Sequence, residues 1–158
     1  PVLAVRRRVN GPYATAAAGI DFSAGSHSAF LSGKTMFPSA QFTLVHAYRI
    51  APDWGGRNAE TSIDVIEAEE KERVIRAAEH ELTEIVASAG HAGGKNGIFL
   101  QQGEPEAVLA DYVDKYWPDL VIAGTHGRTG DQHAAIGSVA EQLLDTLPCD
   151  VLAIPTRK

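Results

Sequence analysis

Short apolar runs alternate with longer amphipathic stretches along most of the chain. Four of these runs are almost continuously apolar, which is typical of strands buried on both faces of a parallel sheet. They are residues 42–47, 97–101, 120–123 and 151–154. The alternation predicts an α/β domain in which helices cover both faces of a parallel sheet.

The alanine-rich segment 13–21 is predicted to supply a fifth strand. Alanine favours a helix by propensity, but the next stretch, residues 23–37, has the pattern of the first crossover helix. Gly19 and the motif Asp21-Phe-Ser23 are typical of a strand end that passes into an N-capped helix. We therefore expect a strand here with Asp21 as its last residue.

Three further helices are predicted from periodic apolar positions. The longest runs from about residue 62 to residue 89. A second follows Pro105, which suits a first helical turn. A third starts at Gly137-Ser138 and ends before Pro148.

The acidic composition limits the classes of partner. A formal charge of -6 argues against general nucleic-acid binding, which requires a basic face. The sequence contains neither a bilayer-spanning apolar stretch nor a signal-peptide pattern, so we expect a cytoplasmic protein that does not bind membranes. The single cysteine, Cys149, begins an apolar run and is expected to be a small buried side chain rather than a nucleophile.

Glycines are concentrated between the predicted strand 120–123 and the last helix. A glycine-rich turn that leads from a strand into a helix N-terminus is an anion site, because free N–H groups and the positive end of the helix dipole coincide there. We therefore expect phosphate oxygens to approach this turn. The sequence has no Walker A loop and no Gly-x-Gly-x-x-Gly after its first strand, which excludes a P-loop NTPase and an ordinary dinucleotide fold.

The spacing of these glycines resembles the ATP-binding signature of universal stress proteins of the UspA superfamily. The matching pattern is Gly124-x2-Gly127-x9-Gly137-Ser138. Further matches in the same order are Asp21-Phe-Ser23, Leu44-Val-His46, Gly103-Glu-Pro105 and residues 148–155. The resemblance covers roughly residues 13–156 and implies an open, Rossmann-like five-stranded parallel sheet of the adenine nucleotide alpha hydrolase-like type, with strand order 3-2-1-4-5.

The resemblance also implies a ligand and its contacts. The protein would bind ATP, with Mg bridging the phosphates of the nucleotide. It would act as a regulator in stress response that hydrolyses ATP slowly if at all. The residues that match contacts to base and ribose are Gly19, Ile20, Asp21 and Ala47. Those that match contacts to ribose and phosphates are Ala123, Gly124, His126, Gly127, Gly137, Ser138, Val139 and Ala140. No catalytic residue and no protein metal site is predicted.

Other interpretations stay open at this stage. Asp21 and Ser138 could be helix-capping residues, His126 could be a solvated loop residue, and His46 is expected to be a satisfied residue at the edge of the core. A nucleotide hydrolase would need a Ser-Gly-Gly-x-Asp-Ser type of loop, which is absent. The alternative function is a structural dimerisation module that has lost nucleotide binding.

Residues 2–5 nearly repeat residues 151–154. We therefore expect residues 1–12 to be an extension, a linker or the last strand of a preceding similar domain, with residues 13–158 as the stress-protein domain. The predicted last strand, made of Val151, Leu152, Ala153 and Ile154, would be a sheet edge, and edges invite pairing. The resemblance implies a homodimer through that strand, or pairing with a tandem domain.

Overall fold

The computed structural model describes residues 1–6, 11–50, 63–89, 97–125 and 137–155. The strands are β1 (Val2–Ala4), β2 (Thr15–Gly19), β3 (Gln41–Tyr48), β4 (Gly97–Gln102), β5 (Leu120–Gly124) and β6 (Asp150–Ile154). The helices are α1 (Ala24–Met36), α2 (Ile63–Ser88), α3 (Pro105–Tyr116) and α4 (Ser138–Thr146). None of the described helices is both long and apolar enough to cross a membrane.

The sheet runs in the order β1-β6-β5-β2-β3-β4. Strands β2 to β6 are parallel, and their order is the predicted one. Side chains from α1 and α2 form one apolar core against the sheet, whereas side chains from α3 and α4 form another against the opposite face. The prediction of an α/β sheet with helices on both faces is therefore confirmed.

Two predictions about the sheet edge are wrong. The sheet has six strands and is mixed, because β1 adds to it in the antiparallel direction. The strand at residues 151–154 is consequently not an edge, since β1 pairs with its outer side. The strand predicted for residues 13–21 also ends at Gly19, so Asp21 lies two residues beyond it.

Strand β2 shows how pairing overrides local propensity. Ala16, Ala17 and Ala18 are at most 2% exposed, and β2 is paired on both sides, with β3 and β5. Backbone pairing and burial in the sheet outweigh the helix preference of alanine. Cys149 is also fully buried, as predicted.

A buried carboxylate at the start of β6 accepts hydrogen bonds from two other segments of the chain, the one that follows β1 and the one that precedes β2. Asp150 is 2% exposed, and its carboxylate accepts hydrogen bonds from the Tyr13 hydroxyl at 2.7 Å and from the Arg6 backbone N–H at 2.6 Å. Burial, followed by the hydrogen bond to Asp150, raises the pKa of Tyr13 to about 12. The neutral phenol is therefore favoured in the fold.

This shift predicts a loss of stability at high pH. The folded state keeps the Tyr13 proton between its ordinary pKa of 10.0 and about 12, so the free energy of unfolding should fall as the pH rises through that window. Tyr13 is only partly buried, and we expect a loss of about 1 kcal/mol after solvent screening. Urea denaturation across this range should show a shallower decline for Tyr13→Phe than for the parent. An equal decline in both proteins would contradict the assignment, and Tyr116→Phe, at an exposed position, is the control.

Candidate functional site

A cleft lies at the point where the chain changes direction across the sheet. Strands β2 and β5 are neighbours, but the chain leaves β2 towards β3 on one side and leaves β5 towards β6 on the other. Such a switch point opens a crevice at the carboxyl ends of the strands. The crevice here has a volume of about 680 Å³, which is within the usual size of small-molecule sites.

The structure brings most of the sequence-predicted site residues to this cleft. Ten of them line it: Gly19, Ile20, Asp21, Ala47, Ala123, Gly124, Gly137, Ser138, Val139 and Ala140. The other two, His126 and Gly127, lie outside the described residues.

One end of the cleft is formed by the start of α4. Gly137 is its N-cap, and the backbone N–H groups of the next three residues have no acceptor within the helix, as in any first turn. The Gly137 N–H donates to the Thr125 carbonyl at 2.6 Å, which holds the helix start against the end of β5. The positive end of α4 therefore lies at the cleft wall, where an anion would be stabilised.

Another wall of the cleft is the loop that follows β2, and two hydrogen bonds fix this loop to β3. The Ile20 N–H donates to the Val45 carbonyl at 2.9 Å, and His46 Nδ1 lies 2.7 Å from the Ile20 carbonyl. Because a carbonyl only accepts, His46 Nδ1 carries the hydrogen and donates it. His46 is 8% exposed, which confirms the prediction of a satisfied residue at the edge of the core.

Asp21 stabilises the turn that enters α1. Its Oδ1 atom accepts from the Ser23 backbone N–H at 3.0 Å and from the Ser23 hydroxyl at 2.6 Å. Ser23 is the N-cap, and its hydroxyl oxygen accepts from the Ser26 N–H at 3.1 Å. Asp21 thus positions the capping residue, and the cap itself is Ser23, whereas the sequence had left Asp21 open as the cap. Asp21 also lines the cleft, so its structural contact and a ligand contact are compatible.

Phe22 is a cleft residue that the sequence analysis did not single out. Its φ is 62°, in the left-handed region, which costs an L-residue about 1–2 kcal/mol. Its ring centroid lies 4.3 Å from that of His46. The ring contact offsets part of this cost and fixes the tight turn between β2 and α1.

Charged side chains at the cleft were also missed. Arg49 follows β3 and forms an ion pair with Glu104 at the N-cap of α3. Both side chains are more than half exposed, so the pair contributes little to stability. The described lining contains three carboxylates, on Asp21, Glu104 and Glu106, and one guanidinium. The Gly103-Glu-Pro105 match was the sequence signal for this turn, but the partner of Glu104 could not be identified from it.

Gly124 has a packing role that the sequence analysis did not foresee. A Cβ atom there would lie 3.2 Å from the Gly25 carbonyl oxygen and 3.3 Å from the Ser26 nitrogen. Glycine at this position therefore lets the start of α1 approach the end of β5. A side chain at Gly124 would meet protein backbone, whereas the predicted ligand contact of Gly124, which also lines the cleft, stays a prediction.

In a comparison with known proteins, one family matches most of the chain. The model of the universal stress protein family matches residues 12–155. Universal stress protein E of Escherichia coli strain K12 is 40% identical over 60 residues, which are 38% of this chain and 19% of that protein. The aligned part thus spans about a fifth of the length of this relative.

Two solved structures share the fold over nearly the whole chain. A universal stress protein in complex with cAMP aligns with a TM-score of 0.63 at 23% identity and covers 91% of this chain and 98% of its own. A universal stress protein family protein from Arabidopsis thaliana with AMP bound has a TM-score of 0.56 at 12% identity, covering 91% and 92%. At these identities the likeness concerns the fold, and the family follows from the match over residues 12–155. The chain belongs to the universal stress protein family.

Proposed function

We propose that residues 13–158 form a domain that binds ATP, with Mg, and acts as a nucleotide-dependent regulator in stress response. The observation that carries this proposal is the cleft at the switch point, which is lined by both the β2 loop and the N-terminal turn of α4. The likeness to proteins whose structures hold cAMP or AMP supports an adenine nucleotide as the class of ligand.

The two walls of the cleft suit different parts of a nucleotide. The wall made of Gly19, Ile20, Asp21 and Ala47 would contact base and ribose. The wall made of Ala123, Gly124 and residues 137–140 would contact the phosphates, because the N–H groups at the start of α4 donate to anions. His126 and Gly127 remain proposed phosphate contacts on the sequence resemblance alone.

A divalent cation fits the charge of this cleft. The carboxylates of Asp21, Glu104 and Glu106 outnumber the one guanidinium in the described lining, so a polyphosphate without a counterion would be repelled. Mg prefers carboxylate, phosphate and water oxygens. We propose that it is held mainly by the phosphates and water, with no more than one of these carboxylates.

Hydrolysis is expected to be slow. His46 supplies the imidazole in the described lining, and its Nδ1 is hydrogen-bonded to the Ile20 carbonyl. The Nδ1 atom therefore carries the hydrogen and is not available as a general base, and slow hydrolysis stays the prediction made from the sequence. Regulation by occupancy of the cleft is the function that these residues support, and a cytoplasmic location stays a prediction.

Calorimetric titration of ATP with Mg into the purified protein tests the proposal. We expect binding in the micromolar range for the parent. We expect about tenfold weaker binding for Asp21→Asn, which keeps an oxygen to accept from Ser23 but removes the carboxylate charge that would strengthen a hydrogen bond from a ribose hydroxyl group. Such a loss corresponds to about 1.4 kcal/mol. Asp145→Asn is the matched control, because Asp145 is exposed near the far end of α4.

The outcomes separate the two candidate functions. Equal affinity in the parent and Asp21→Asn would place the nucleotide elsewhere. A folded parent that binds neither ATP nor AMP would refute nucleotide binding and favour the structural dimerisation module.

A further inference from the structure

Glu106 is a carboxylate of the cleft that has no partner in the part of the chain that the structure describes. It lies in the first turn of α3, lines the cleft and is partly buried, and no described group forms an ion pair or a hydrogen bond with it. Glu104, by contrast, is exposed and paired with Arg49. The helix dipole favours a carboxylate in a first turn, but an exposed carboxylate would serve equally well. The partial burial of Glu106 in the cleft therefore points to a further role.

Helix α3 places Glu106 beside the wall that we propose to contact base and ribose. This base wall consists of Gly19, Ile20, Asp21 and Ala47. Leu109 packs against it, because a Cβ atom at Gly19 would lie 3.1 Å from Leu109 Cδ1. Glu106 precedes Leu109 by three residues, which puts both side chains on one face of the helix. Because α3 begins just after β4 ends, Glu106 lies one turn closer to the carboxyl edge of the sheet, where the cleft opens.

Glu106 belongs to the base end of the cleft rather than to the phosphate end. Helix α4, whose first turn would hold the phosphates, follows β5, whereas α3 packs against β3. Strand β2 lies between β5 and β3, and neighbouring strands are about 4.8 Å apart. The Glu106 carboxylate is thus displaced towards β3, away from the proposed phosphates and from a Mg ion bound to them.

The chemistry of the base decides what a carboxylate can bind at this place. A carboxylate only accepts hydrogen bonds, and the exocyclic amino group is the only N–H donor that adenine offers in a nucleotide. We propose that Glu106 accepts a hydrogen bond from this amino group and thereby selects nucleotides whose base carries it. The inference rests on the proposed nucleotide binding and adds a specificity-determining residue to it. Glu106 lies outside the sequence motifs that predicted the site.

Two nucleotides that differ in one group isolate this contact. Purine riboside triphosphate is ATP with a hydrogen in place of the amino group of the base. Both nucleotides would be titrated calorimetrically, with Mg, into the parent protein. We expect ATP to bind about tenfold more tightly than the analogue, because a hydrogen bond to a charged acceptor is lost and the carboxylate is left without a donor.

Three variants assign the preference to Glu106. Glu106→Ala removes the acceptor, so the ratio of the two affinities should fall to about one. Glu106→Gln keeps a neutral acceptor and should give an intermediate ratio of about threefold. Both new residues are good helix formers, so the fold should be retained. Asp114→Ala is the matched control and should keep the ratio of the parent, because Asp114 is exposed on α3 and does not line the cleft.

The ratio separates this inference from other roles of Glu106 and from the proposed function. A carboxylate that acts only on the helix dipole or on the charge of the cleft would change both affinities by the same factor. An unchanged ratio in Glu106→Ala, or a parent that binds both nucleotides equally, would therefore refute the inference and leave nucleotide binding intact. A folded parent that binds neither nucleotide would refute the proposed function, and this inference with it.

Discussion

Replacing Gly137 with valine should weaken ATP binding by about 100-fold, which corresponds to about 2.8 kcal/mol, while the domain stays folded. Gly137 has φ -69° and ψ 152°, an extended conformation that any residue can adopt. Valine is a poorer N-cap, so we expect a stability loss of about 1 kcal/mol at most. The larger effect on affinity arises because the branched side chain would occupy the cleft where phosphates approach the N–H groups of α4.

The comparison that isolates this effect uses the same substitution elsewhere on α4. Gln142 is exposed on that helix, so Gln142→Val adds a branched side chain without touching the cleft and should leave ATP affinity unchanged. Both variants would be titrated calorimetrically beside the parent, with their folding checked by circular dichroism. Unchanged affinity in Gly137→Val would mean that the phosphates do not bind at the start of α4.

Most of the fold could be predicted because its signals are local. Strands β3 to β6 are near-continuous apolar runs, and each begins or ends within one residue of the predicted bounds. Helix α2, predicted at about residues 62–89, spans Ile63–Ser88. The position of β1 could not be derived in the same way, because the direction and register of a strand depend on which edge is open in three dimensions.

The same distinction between local and long-range signals applies to the candidate site. The glycine spacing and the Asp21-Phe-Ser23 turn are sequence patterns, and the described residues that they predicted do line one cleft. The contacts that shape its walls join distant residues, such as Arg49 with Glu104 and Phe22 with His46. Such pairs leave no periodic pattern in the sequence. The positive φ of Phe22 was also missed, because an aromatic residue is not expected in that conformation.

Gly33 is a further position where only the three-dimensional structure explains the residue. It lies on α1, and a Cβ atom there would be 2.3 Å from Ile122 Cδ1, with Ile122 fully buried in β5. Gly33→Ala alone should therefore destabilise the domain, because overpacking a core costs about 1–3 kcal/mol. The gain of about 1 kcal/mol in helix propensity offsets only part of this cost.

Ile122→Val tests this explanation because it removes the one atom that an added Cβ at Gly33 would overlap. The substitution deletes Cδ1, the conflicting atom, while the next contacts of the added Cβ, with Ile122 Cγ1 and Phe42, are ordinary at 3.6 and 3.5 Å. By itself it should cost about 1 kcal/mol. In its presence Gly33→Ala should stabilise the domain by about 1 kcal/mol, so that urea denaturation of the four proteins gives a coupling energy of about 1–3 kcal/mol, equal to the overpacking cost. Additive effects would mean that the close approach of α1 to β5 does not require glycine, and that Gly33 is there for another reason.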